Sequence, residues 1–139
     1  MKFRLIALSL SLLLMQCRPS AELSANERTQ RLLVNKDWDM TIVTVDGIAR
    51  SIYPGLSINF QQSVYTSKNG LDVFPVSGTW SFSGSDGRTI IRDDGLEITI
   101  ESIDDGQLIL SFYWADSTFI GGRNSELAGS HRLTFRKRI

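Results

Sequence analysis

The stretch from Gly78 to Trp114 restricts this chain to a β-rich fold more firmly than any other part of it. Trp80 and Phe82 alternate with Thr79 and Ser81, and Leu96, Ile98 and Ile100 alternate with Glu97, Thr99 and Glu101. A period of two places alternate side chains on opposite faces of a strand. Leu108, Leu110, Phe112 and Trp114 continue the apolar face, so a one-residue slip in pairing would turn the whole set toward water. Between the runs lie Asp86-Gly87, Asp93-Asp94-Gly95 and Asp104-Asp105-Gly106, and Asp-Gly accommodates the positive φ of tight hairpins. The expected arrangement is an antiparallel meander in sequence order.

At the N-terminus, Lys2 and Arg4 precede an apolar run from Leu5 to Met15, so residues 1–16 read as a secretory signal. The run is far shorter than the roughly 20 residues a spanning helix needs, and no permanent transmembrane helix is expected. Leu14-Met15-Gln16-Cys17 resembles the lipobox of bacterial lipoproteins, with Gln16 in place of the usual small residue. The resemblance implies that Cys17, the only cysteine, is the lipidation site and becomes the new N-terminus. Each buried acyl methylene contributes about 0.8 kcal/mol, so two or more chains would hold the protein on a membrane. Residues 17–25, which include Pro19, then form the lipidated cysteine and tether, and residues 26–139 form one domain. The location this implies is the cell envelope, at the periplasmic face of the outer membrane.

Apolar residues at 42% and charged residues at 22% are those of a globular chain. Without Lys2 and Arg4, 13 basic residues face 15 acidic ones, which gives no basic surface for nucleic acid. Arg136-Lys137-Arg138 reads as the solvated end of a strand.

Ahead of the meander, Ser24 and Glu27 have capping-box spacing, Leu32 and Leu33 give the following helix an apolar side, and Asn35 is a left-handed stop. The first strand spans Asp37 to Val45, with Trp38, Met40 and Ile42 inward; Val43 and Val45 break that alternation. Asp46-Gly47 turns the chain, Ile48 to Tyr53 is ambiguous, and Pro54-Gly55 leads into Leu56 to Phe60. A return strand near Ser63 to Ser67 ends at Asn69-Gly70, and Leu71 to Val76 links it to the meander. Ala115 to Ala128 reads as a long loop, and Gly129 to Lys137 as a final strand with His131, Leu133 and Phe135 on one face.

Eight strands leave two exposed edges unless the last pairs with the first. The expected fold is therefore all-β: an antiparallel up-and-down eight-stranded barrel with a short N-terminal helix. The helix, the strand opening with Trp38, Gly78-Thr79-Trp80, Gly121-Gly122-Arg123 and the final Gly129-Ser-His-Arg-Leu-Thr-Phe together resemble the lipocalin-like domains of bacterial envelope lipoproteins. That resemblance, over Asn26 to Arg138, implies a lipocalin-like barrel but no shared ligand.

The interior of such a barrel is either packed solid or left open for one small molecule. Trp80, Phe82, Phe112, Trp114 and His131 are the ligand-binding candidates, with Phe119, Ile120 and Arg123 as a lid in the long loop. His131, the only histidine, lies on the apolar face and needs a hydrogen-bond partner there. No catalytic residue, metal or cofactor is expected. There is no Gly-x-Ser-x-Gly elbow, Glu97 and Glu101 face outward, and the Asp-rich turns lack a calcium-loop pattern. The expectation is a lipid-anchored envelope protein that binds a small apolar or amphipathic ligand in a cavity lined by Trp80, Trp114 and His131; a filled interior would contradict that version. The alternative is a non-catalytic interaction or scaffold module acting through an outer patch of Tyr113, Phe119 and Ile120.

Overall fold

A computed structural model describes residues 20–115 and 127–139. Among the described residues one helix, α1 (Ala25–Leu33), precedes nine strands. They are β1 (Lys36–Val45), β2 (Ile48–Ala49), β3 (Ser57–Phe60), β4 (Val64–Lys68), β5 (Ser77–Phe82), β6 (Thr89–Arg92), β7 (Glu97–Ile103), β8 (Gln107–Trp114) and β9 (Gly129–Lys137). The nine strands pair antiparallel, an isolated parallel bridge joins Val34 to Phe60, and β9 pairs back onto β1 from Trp38↔Lys137 to Val45↔His131. Eight strands thus form a closed barrel, as the sequence pattern predicts. The ambiguous stretch after β1 resolves into β2, which takes the upper part of the β1 edge whose lower part pairs with β3.

The expectation for Ile42 is corrected. In the β1–β9 ladder Met40 faces Phe135 and Ile42 faces Thr134, which leaves Thr41 as an extra residue on β1. Such a bulge reverses the parity of everything after it. Ile42 therefore points outward at 56% exposure, whereas Val43 and Val45 are buried. The Thr41 hydroxyl donates to the Thr134 carbonyl at 3.1 Å and so ties down the bulge. A second shift, between Ile100 and Ser102, does the same at Glu101 on β7.

Turn chemistry follows the sequence at most positions. Asp46 and Gly47 both have positive φ, +50° and +77°, as a type I′ hairpin requires. Asp104-Asp105-Gly106 differs, because Gly106 has no positive φ. The Asp104 carboxylate instead accepts from the amides of Gly106 and Gln107, each at 2.7 Å, and its side chain shapes the turn. Arg136, Lys137 and Arg138 are all exposed, as a solvated strand end requires, and at that surface Arg138 pairs with Asp37 and Asp39 while Lys137 approaches Asp105 at 3.7 Å.

The two ends of the barrel differ. At one end α1 begins with the predicted capping box: Ser24 Oγ accepts from Glu27 N and Glu27 Oε2 accepts from Ser24 N. The helix stops at Asn35, whose φ is +59°. Asn26 bonds Gly84 O and Gly87 N, and Gln30 bonds Gln62 O, so α1 lies across the β5–β6 and β3–β4 turns. Leu33 is fully buried there, and Trp38 Nε1 donates to its carbonyl at 3.0 Å. We call this the helix end. The opposite, loop end carries residues 46–56, 69–76, 93–96 and the start of β9.

Residues 71–76, read from sequence as a link, contribute to the core instead. Val73 and Phe74 are buried, and Phe74 packs edge-on against Phe112 at 5.5 Å. Among the described residues no helix is long and apolar enough to cross a membrane.

Candidate functional site

The five ligand-binding candidates divide between the two ends. Trp80 is 4% exposed, packs edge-on against Phe60 and Phe82, and donates its Nε1–H toward the carbonyls of Gln61 and Val64. Trp80 and Phe82 therefore belong to the helix end. Phe112, Trp114 and His131 meet at the loop end, where β8 pairs Phe112 with His131 and Trp114 with Gly129. Trp80 thus packs with Phe60 and Phe82, and His131 with Phe112 and Tyr53. Cys17, Phe119, Ile120 and Arg123 lie outside the described residues.

His131 has the partner that burial demands, and it is one the sequence reading missed. Its Nε2 lies 3.0 Å from the hydroxyl of Tyr53, and its Nδ1 lies 3.2 Å from the Gly129 carbonyl. A carbonyl only accepts, so Nδ1 carries the proton, Nε2 accepts, and Tyr53 donates. The imidazole is neutral in this arrangement. Burial pulls its pKa below the ordinary histidine value, against the opposing pull of the Gly129 carbonyl and the Asp46 carboxylate. Burial likewise raises the Tyr53 phenol well above its usual range, which keeps it a donor. Phe112 stacks on the imidazole with centroids 4.9 Å apart and planes 7° from parallel.

The backbone under this pair is strained. Tyr53 has φ +56°, a left-handed value that is rare for a bulky side chain and disfavoured by roughly 1–2 kcal/mol. Three hydrogen bonds hold the segment: Arg50 N to Val43 O, Leu56 N to Tyr53 O, and Met40 N to Leu56 O. Across the mouth, the Asp46 carboxylate accepts from Ser130 N at 2.9 Å and crowds the Cα of Gly129. A Cβ at Gly129, whose φ is +132°, would lie 2.6 Å from Asp46 Oδ2. Only glycine fits at the entry to β9.

The seam between β7 and β8 opens at this same end. The ladder stops at Thr99↔Ser111, and among the described residues Phe112 to Trp114 pair with β9 but with no residue of β7. A solvent-open groove of about 570 Å³ follows the seam, lined by Leu96, Glu97, Thr99, Ser111, Tyr113 and Ser130, with Phe112 and His131 also contributing. Small-molecule sites have volumes of about 300–1,000 Å³. Ile52, Leu96, Trp114 and Leu127 are half-buried, pack against the core, and all lie in or beside loop-end segments.

A buried charge lies where the two clusters meet, since Arg92 on β6 pairs with Trp80 across the β5–β6 ladder. Arg92 is 4% exposed and sits over the rings of Tyr65 and Phe74 at 5.7 and 5.4 Å. Its guanidinium donates to both Asp94 oxygens and, at 2.6 Å, to the Val73 carbonyl. The hydrogen bond from Arg92 holds the Asp94 carboxyl below the usual carboxylate range. Tyr65 Oη is buried without a hydrogen-bond partner among the described residues, and nothing in the structure explains it.

Tyr53 could have been suspected from sequence as the partner of a lone buried histidine, since it is the one aromatic residue in the ambiguous stretch before Pro54-Gly55. No periodic signal marks Asp46 or Arg92 as members. Among the described residues no group of three or more His, Cys, Asp or Glu side chains could hold a metal ion. No protein-family model matches the chain, and no curated protein matches it significantly.

Proposed function

We propose that this is a lipid-anchored envelope protein whose barrel is non-catalytic and binds a small amphipathic molecule at the loop end, in the groove along the β7–β8 seam. The observation that carries the reading is the position of that groove, where the stacked Phe112–His131 pair meets solvent-facing Tyr113 and Leu96. An apolar body would lie against Leu96, Phe112 and Tyr113. A hydroxyl or amine head would bond the side chains of Glu97, Thr99 and Ser111, which line the groove. Lipidation of Cys17 rests on the lipobox resemblance and places the barrel at the membrane surface.

The second reading, an interaction module acting through its outer surface, is favoured by Tyr113, which is 65% exposed on the rim of the same groove. Titration with a fluorescent fatty-alcohol analogue separates the two. The ligand reading predicts saturable binding that Leu96→Ala weakens and Phe82→Ala leaves unchanged. No saturable binding, or equal loss in both variants, goes against it.

A further inference from the structure

At the helix end, away from the proposed ligand groove, a second open groove of about 370 Å³ lies between α1 and the β6–β7 wall. Arg28 and Arg88 both line it, both are exposed, and neither takes part in any ion pair among the described residues. Of the two carboxylates that share the groove, Glu101 pairs with Arg132 at 2.7 Å, and Asp86 accepts from the Arg88 backbone amide at 2.9 Å within its own turn. Arg28 gives one of its N–H donors to the Leu23 carbonyl, and the donors left on the two guanidiniums suit an anion with several oxygens.

The chain itself says where such an anion would come from. Leu23 sits at this end of the barrel, its carbonyl bonded to Arg28 Nη1 at 2.5 Å. The residues from Cys17 to Leu23 span at most about 22 Å when fully extended. A nine-residue strand such as β9 is itself about 30 Å long. A tether shorter than the barrel strands, attached at the helix end, keeps that end next to whatever holds Cys17.

We propose that the helix end is a membrane-facing surface, on which the Arg28–Arg88 groove takes the phosphate of an anionic phospholipid. The loop end and its groove then face away from the bilayer. This inference rests on the proposed lipidation of Cys17. It adds an orientation: the ligand mouth opens to the aqueous side and does not draw directly on the membrane to which the protein is anchored.

The test uses the protein purified from membranes, with intact mass read first, carrying one label site at either Ser85→Cys or Ile48→Cys. Ser85 lies in the β5–β6 turn at the helix end and Ile48 in β2 at the loop end. After reconstitution into vesicles of phosphatidylcholine with phosphatidylglycerol, spin-labelled lipid headgroups should quench the label at 85 and spare the label at 48. Arg28→Glu with Arg88→Glu should abolish the part of that contrast that depends on phosphatidylglycerol. Equal quenching at both sites, or stronger quenching at 48, overturns the orientation. Quenching at 85 that ignores both the anionic lipid and the charge reversals overturns the phosphate groove. An unmodified Cys17 in the mass spectrum removes the anchor, and this inference with it, while the ligand groove stands untouched.

Discussion

The hydroxyl of Tyr53 meets Nε2 of His131 at 3.0 Å across 78 positions of sequence, and this bond joins the crossover after β2 to the start of the last strand. Tyr53→Phe removes the donor and leaves a buried imidazole nitrogen unpaired. A loss of about 1–3 kcal/mol in folding stability is expected. Tyr113→Phe, at an exposed position on β8, should stay within about 0.5 kcal/mol. Urea denaturation of both variants checks the contrast.

The same bond gives a pH dependence with a definite sign. Burial holds the folded-state pKa of His131 below its unfolded value of about 6.5, so the unfolded chain takes up the proton first. The stabilisation from neutral His131 is fully present above about pH 6.5 and is lost as pH falls toward the depressed folded value. Thermal midpoints should therefore drop from about pH 7 to pH 5. His131→Leu should flatten that slope, and an unchanged slope in the variant would place the titrating group elsewhere.

How far the fold was legible in sequence depends on the residue. Trp80, Ile98, Ile100 and Phe112 keep strict alternation between Asp-rich turns, and all are buried as their parity requires. Ile42 does not, because the bulge at Thr41 adds a residue to one strand only, and nothing in Met40-Thr41-Ile42 distinguishes a bulge from regular pairing. The site was half legible. His131 announced itself as a lone imidazole on an apolar face, but Tyr53 lies in a segment with no period, held by a left-handed backbone and contacts distant in sequence. Arg92 was equally hidden, since a charge on the inward parity of a short strand gives no hint of the Asp94 and Val73 carbonyl that receive it.

The bulge can be tested directly. Ile42→Ser should change stability by no more than about 0.5 kcal/mol, because the side chain already faces solvent. Val43→Ala removes buried methyls and should destabilise by about 2 kcal/mol. Regular pairing through Thr41 would give the opposite order in a denaturation series.

The Arg92–Asp94 pair should respond asymmetrically. The Arg92 side chain is 2% exposed and that of Asp94 is 40%. Asp94→Ala strands a buried guanidinium on the Val73 carbonyl alone, whereas Arg92→Met leaves a carboxylate that water reaches. With the pair partly solvated, the first change should destabilise by about 2 kcal/mol and the second by clearly less, read from chemical denaturation midpoints.

The most direct test of a ligand at the β7–β8 seam is native mass spectrometry of residues 18–139 after incubation with an extract of the source envelope. A reproducible added mass is expected, lost in Leu96→Ala and retained in Phe82→Ala, which alters the helix end alone. A folded protein that acquires no mass, or loses it only in Phe82→Ala, would contradict a loop-end ligand site and leave the exposed face around Tyr113 as the working surface.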